Sequence, residues 1–438
     1  MEIWIIALLL FLSLLTFLLL GVHVAFALGG ISILFGLIFW NGLPSLDGFV
    51  LGTYERTTQA ILTALPLYIF MAAVLMYSDL ADDMYEAIYR WFGGVKGGLA
   101  AGTSIVAAVF ASMVGVASVA TAAVGMVARP SMLKRKYDDQ LTLGVIMAGG
   151  VLGALIPPSI VMIVYAAEAS VSAGALFMAG IVPGIMACLL FIVYSLILCY
   201  FRPEKGPSVE VDMRYTLREK FQSLKSIVLP GLVILLALGS IYLGVATPTE
   251  AGAVGAVGAV FAAGVRKKLT FVNIKQIFMM TAKLCGIVFW ILIGAVAYAR
   301  IVTVTGTGEW LGSMITDAGL NRWVVLILIL LFFLVLGMFI DTVAVLLITA
   351  PLFLPVLGAF DFNMVWFGIL FTIAVCIGNL TPPFGISIFI MKGVAPDIRT
   401  STLYRAVWPF VFILLFCMIL VLLFPEIAMF VPTQMLGQ

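Results

Sequence analysis

The sequence predicts an all-α polytopic membrane protein built from two related halves. Three observations carry that reading. The chain of 438 residues is 64% hydrophobic and only 10% charged, against about 25% charged in soluble globular domains. Its mean hydropathy is +1.23. Its apolar runs approach the ~20 residues that cross a bilayer, and their proline and glycine interruptions fall at matching places in each half. No compact soluble shape has interior enough for that much apolar surface, so lipid is the solvent for most of it.

The elements follow in chain order. Residues 3–20 resemble a signal peptide in length but lack a basic leader and a small-residue cleavage site, so they are read as a retained first helix. Further spans are expected near 22–40, 61–78, 141–167, 176–200, 227–244, 250–265, 285–303, 364–392 and 403–424. The stretches 97–128 and 322–356 are too long for one crossing and read as re-entrant hairpins, with paired full spans as the alternative. The first turns within 111–121, which carries no charge, and the second within 337–342. Segments 81–92 and 308–317 are amphipathic and read as short helices lying in the interface.

Charge sets orientation. Lys96 and the basic residues of 129–136, 202–225, 266–283 and 392–405 share one face if each hairpin returns to the face it left. The other face holds only Arg56 and Arg322. The positive-inside rule then places the basic face in the cytoplasm and both termini outside. A net charge of +2 argues against a nucleic-acid partner. Cys188, Cys199, Cys285, Cys376 and Cys417 lie in apolar runs without CxxC spacing and read as free thiols; a single histidine, His23, excludes a histidine metal cluster. No GxxxxGK[ST] run provides for ATP. The few ionisable residues within spans do not make a catalytic set, so an enzyme is not expected.

Residues 61–200 run span, interfacial helix, hairpin, broken span, span, and residues 285–424 repeat the plan. Ser112 precedes Pro130 by eighteen residues, as Gly337 precedes Pro355; Ser112 precedes Pro157 by 45, as Gly337 precedes Pro382. The copies start on opposite faces, which makes them inverted repeats, an architecture of secondary transporters. A passive channel is disfavoured, because hairpins and repeats of this kind build occluded sites.

Pro157-Pro158 and Pro382-Pro383 sit mid-span and release the carbonyls of Gly153, Ala154, Gly378 and Asn379 from helical bonding. Such groups in hydrocarbon cost several kcal/mol unless satisfied. A hard cation with oxygen ligands is a natural partner; kinks satisfied by water and neighbouring helices are the alternative. Ser112, Ser118 and Thr121 would complete one site, Thr342 and Thr381 the other. Sodium is favoured over protons because the first site has no carboxylate. Arg300 and Asp341 are the ionisable residues most clearly within apolar segments. Arg300 would either clamp a substrate carboxylate or snorkel to the outer interface. Asp341 would bind a substrate hydroxyl, support the second ion site, or cap the returning helix.

The runs 149–160 (GGVLGALIPPSI), 65–71 (LPLYIFM), 337–341 (GMFID) and 378–383 (GNLTPP) resemble the large membrane subunit of tripartite ATP-independent periplasmic (TRAP) transporters of the dicarboxylate and sialic-acid type. The resemblance spans nearly the whole chain. It implies an inner-membrane, elevator-type transporter, with the interfacial helices as arms between scaffold and transport domain. It further implies sodium coupling, a small four-helix membrane subunit, and a periplasmic binding protein that delivers a small organic acid. Carried over by position, Ser112, Gly115, Ser118, Gly153, Ile156 and Pro158 form one sodium site, and Gly337, Asp341, Thr342, Gly378, Thr381 and Pro383 the other. Arg300, Asp341 and Asn379 would face substrate. The tip reads Gly115-Val-Ala-Ser118 where the family often has Gly-Ser-Ser. Segments 1–60 and 201–284 fit scaffold helices and a cytoplasmic loop, and 425–438 is a C-terminal tail. A stand-alone sodium/carboxylate symporter of the related elevator superfamily is the alternative.

Overall fold

The computed structural model describes residues 2–40, 42–78, 80–208 and 215–436. Among these the chain is helical with no strand. Among the described residues six helices are individually long and apolar enough to cross a membrane, both arms of the second hairpin included, and several shorter apolar helices accompany them.

The chain begins with α1 (Ile3–Leu19), α2 (Val24–Phe39) and α3 (Ser45–Thr57). The third of these, with Asp47, Glu55 and Arg56 along it, is amphipathic enough to escape a search for apolar runs. A 3₁₀ turn over Ala60–Thr63 leads into α4 (Ala64–Met76), which meets α3 at a 62° bend. Then come α5 (Leu80–Phe92), α6 (Gly98–Val114), α7 (Ala117–Lys134), α8 (Asp139–Val151), α9 (Ile160–Ala169) and α10 (Ala173–Phe201). The crossings α11 (Leu217–Tyr242) and α12 (Pro248–Val265) each start on a capping box, Thr216 with Glu219 and Thr247 with Glu250. Such a box satisfies two orphan amides reciprocally and fixes where a helix starts.

The second half comprises α13 (Phe271–Val304), α14 (Thr307–Asp317), α15 (Arg322–Phe339), α16 (Thr342–Ala359), α17 (Met364–Leu380), α18 (Ile386–Val394), α19 (Thr400–Leu423) and α20 (Glu426–Leu436). The expected tail therefore forms a helix, packed on α10. An offset of 225 residues carries α7 onto α16 end for end, and carries the start of α8 onto the start of α17. Even the caps correspond: Asp138 accepts from Leu141 N at 3.0 Å, and Asn363 from Val365 N at 2.9 Å.

Five crossings (α4, α8–α9, α10, α11, α12) separate the two starts. A hairpin adds none or two, so the count stays odd and the second copy begins on the opposite face. The repeats are inverted. Their broken helices cross at a symmetry-related pair, where the Cys376 thiol donates to the Val151 carbonyl at 3.2 Å. Both Pro-Pro bonds, Pro157-Pro158 and Pro382-Pro383, are cis.

The amphipathic segment α5 makes contacts on two sides. Trp91 Nε1 donates to the Lys220 carbonyl at 3.0 Å on α11, and Asp83 pairs with Arg266 at the end of α12. On its other side Arg135, just beyond α7, lies 3.7 Å over the Tyr89 ring. In the second half α14 packs on α16, α13 and α1.

Candidate functional site

The hairpin turns are two residues long. In the first, Gly115 takes φ +66 between α6 and α7, a left-handed conformation that side chains resist. In the second, Ile340 and Asp341 are extended, and Asp341 caps α16 by accepting from Val343 N at 3.1 Å. The capping role expected for Asp341 is thus observed.

Each tip packs on the break of its own repeat. A Cβ on Gly153 would strike the Ala111 carbonyl, and one on Gly378 would lie 2.5 Å from Leu334 O and 2.8 Å from Gly337 Cα. Only glycine lets these backbones touch. A Cβ on Gly115 would lie 3.3 Å from the Pro158 carbonyl. Each tip thus ends on the break of a helix pair, the packing that a re-entrant hairpin requires.

Of the four carbonyls that the prolines release, two have protein donors. Ser159 Oγ donates to Ala154 O at 2.7 Å, and Thr381 N donates to Gly378 O at 3.0 Å. Pro383 is exposed, and its carbonyl accepts from Tyr404 Oη at 2.8 Å. The hydroxyls are partly engaged within their own helices: Ser112 donates to Val109 O at 2.7 Å and Thr381 to Ile377 O at 2.6 Å. At the tips and breaks, two buried side-chain oxygens lack a hydrogen-bond partner among the described residues. Thr121 Oγ1 lies against the Gly150 face of α8, where a Cβ on that glycine would collide with it. Asn379 donates through Nδ2 to Thr342 Oγ1 at 3.0 Å while its Oδ1 is unbonded.

The two tips meet around one cavity of about 120 Å³, lined by Gly115, Ser118, Ala154, Asp341 and Thr342 among others. Its opposite wall is α13, through Leu284, Ile287 and Val288. Ile156 is part-buried at the first break and does not line this cavity.

Arg300 lies elsewhere. It is twelve residues beyond Val288, about 18 Å along a straight helix. It is exposed, its guanidinium 5.8 Å from the centre of the Trp40 ring, and it lines a second cavity of about 240 Å³. That cavity also receives Arg56 and Glu168, whose Nη2 and Oε2 lie 2.7 Å apart. The structure brings Asp341 and Thr342 together with Ser118, and Asn379 with Thr342, but separates Arg300 from all of them. Glu168, in the last turn of α9, was not singled out from sequence. Its signal was a lone carboxylate closing a half-helix on the face otherwise marked by Arg56.

The family described as "Tripartite ATP-independent periplasmic transporter, DctM component" matches residues 11–427. The chain belongs to this family. It is a TRAP transporter large permease subunit, a multi-pass protein of the bacterial inner membrane and not an enzyme. It is 32% identical over 389 residues to the C4-dicarboxylate TRAP transporter large permease protein DctM of Pseudomonas aeruginosa, covering 89% of this chain and 90% of that one. It is 30% identical over 420 residues to the sialic acid TRAP transporter large permease protein SiaM of Vibrio cholerae, covering 95% and 96%. In fold this TRAP permease is similar to the YdaH transporter of Alcanivorax borkumensis, with a TM-score of 0.65, 14% identity, and coverage of 92% of this chain and 97% of that one.

Proposed function

We propose that this permease imports a small organic acid, coupled to sodium and handed over by a periplasmic binding protein, with a small four-helix membrane subunit beside it. The observation that carries the reading is the cavity shared by the two tips, with Asp341, Thr342 and Ser118 facing an apolar wall on α13. It is too small for a bound solute with its full hydration shell, so solute and ions would shed water there onto fixed oxygens. The unpartnered Thr121 Oγ1 and Asn379 Oδ1 suit an oxygen-seeking cation in each repeat. The resemblance assigns Ser112, Gly115, Ser118, Gly153, Ile156 and Pro158 to the ion of the first repeat, and Gly337, Asp341, Thr342, Gly378, Thr381 and Pro383 to that of the second. Relatives named for C4-dicarboxylate and for sialic acid both carry carboxylates, which supports the substrate class.

An elevator movement fits the position of the cavity on α13. Leu284 and Val288 adjoin Lys283, at the cytoplasmic end of that helix's apolar run. Sliding the tips toward Arg300 would carry the cavity to the outer face and bring the guanidinium within reach of a substrate carboxylate. The test is uptake of labelled succinate or N-acetylneuraminate in proteoliposomes holding this chain, the small subunit and the binding protein. Accumulation is expected only under an inward sodium gradient. Equal accumulation with choline replacing sodium refutes the coupling, and full uptake by this chain alone would identify a stand-alone symporter.

A further inference from the structure

The outer cavity holds an arrangement that the tip site does not explain. Arg56 ends α3 on the scaffold, and Glu168 ends α9, the half-helix that follows the first break. Their side chains are 26% and 10% exposed, so the pair is partly withdrawn from water. Glu168 takes only one of the guanidinium's nitrogens, at 2.7 Å. A guanidinium presents a two-pronged fork that suits a carboxylate bidentately, so this single-pronged contact leaves Arg56 able to hold a carboxylate better than Glu168 does. Arg300 faces the same cavity and takes no carboxylate partner among the described residues. Glu55 lines the cavity as well and is exposed, so the site is neutral overall. Recognition there rests on the geometry of the forks and not on a surplus of positive charge.

The mechanical setting matters equally. The helix α9 is a ten-residue rod that begins at Ser159, directly after the break against which the first tip packs. Holding Glu168 to Arg56 therefore ties the tip-bearing body to the scaffold at its outer end. Any sliding of one body on the other must break this bond.

We propose that Arg56 and Glu168 form a latch opened by carboxylate exchange. An incoming organic acid places its carboxylate on Arg56, with Arg300 alongside; Glu168 is released to water, and α9 is freed from α3. On Arg56 one carboxylate replaces another, and the released Glu168 keeps its charge, now solvated; the added negative charge of the acid is met by Arg300, which has no carboxylate of its own among the described residues. It makes the outer cavity a second anion site, distinct from the tip cavity, and it extends the transport reading above.

The test reads binding, without sodium and without uptake, so it fails separately from the coupling mechanism. The purified full-length chain in lipid nanodiscs is titrated with succinate and with N-acetylneuraminate and followed by thermal unfolding, with dimethyl succinate as the uncharged control. A rise in Tm with a free acid and none with the ester is expected. E168Q removes the internal competitor and should move the titration midpoint to lower acid concentration by about fivefold, the upper end for a partly exposed ion pair. R56Q should move it to higher concentration. E168D, which keeps a carboxylate one methylene shorter, should fall between wild type and E168Q and shows that the substituted site still folds. A purely structural ion pair would lower Tm alike in both variants and leave the midpoints together. Midpoints that shift in the same direction, an equal response to the ester, or no response of the wild type to either acid overturns the proposal.

Discussion

The two breaks share one backbone plan and differ in chemistry. At the first, Pro158 and Ser159 are buried, and Ser159 both closes the Ala154 carbonyl and caps α9 through Met162 N at 3.4 Å. At the second, Phe384 stands where Ser159 stands in the first. It is 45% exposed, its ring 4.8 Å from that of Phe339 on the hairpin, and Gly385 starts α18 with no side-chain cap. The polar groups are distributed the opposite way. The first tip has hydroxyls only, whereas the second has a carboxylate at Asp341 and an amide at Asn379. The offset of 225 residues places Val116 opposite Asp341 and Ala154 opposite Asn379. One repeat is thus a closed, capped frame with a few hydroxyls, and the other is a more open one that carries the stronger ligands. Inverted duplication repeated the geometry, and the carboxylate and the amide stand in one copy only.

The largest test of that asymmetry is Asp341→Asn against Ser118→Ala. Both residues line the tip cavity, but only Asp341 is ionisable among its lining residues. Asp341→Asn keeps the oxygen that caps Val343 and removes the charge, so uptake should fall by about 100-fold, the scale of losing a charged partner in a buried site. Ser118→Ala should cost only a few-fold on the same scale. Equal losses in initial-rate uptake would mean that the two tips contribute alike.

Gly378→Ala comes next, because its Cβ meets backbone on both sides and the hairpin must shift. A loss of about 1–3 kcal/mol of stability is expected for such overpacking, read as a lowered Tm and faster proteolysis of the second hairpin. Gly393→Ala, inside α18 with nothing within 4 Å, is the control and should leave Tm unchanged or slightly raised, with no faster proteolysis. Ser159→Ala should destabilise the first repeat by about 1 kcal/mol, since it orphans Ala154 O and uncaps α9. Phe384→Ala, at the equivalent place in the second repeat, should change Tm less. If it costs more, the closed-versus-open contrast is wrong.

Much of this fold could be read in advance because the bilayer enforces a simple grammar. Spans, hairpins, breaks and arms all announce themselves as lengths and interruptions of apolar sequence, and Pro157 and Pro382 mark the breaks without ambiguity. Three things were not legible. The helix α3 mixes charge with apolar residues and so matches no transmembrane template. The fate of each released carbonyl depends on a single neighbour, such as Ser159 or Tyr404, whose contact is tertiary. And Arg300, read either as a clamp for a substrate carboxylate or as snorkelling to the outer interface, lines a cavity apart from the tips, a placement that depends on tertiary packing and not on position along the chain.

The smallest expected effect concerns the tie between the copies at the cytoplasmic face. Arg129, near the end of α7, donates to Asp397 in the loop after α18, joining the first hairpin to the uncapped half-helix of the second repeat. The hydrogen bond from Arg129, and then one from its own backbone, hold the Asp397 carboxyl below its ordinary range, although the group is largely exposed. A lowered pKa in the folded state means that the bond stabilises the fold above the unfolded carboxyl value of about 3.9, and that this is lost as pH falls through the folded value. The Tm difference between wild type and Asp397→Asn should therefore be small and constant from about pH 8 to pH 5, and close toward zero only below about pH 4. Salt should shrink it, as it does for any exposed pair. If the difference instead grows on acidification, the bond does not tether the open repeat to the closed one, and the contrast between them must arise at the breaks alone.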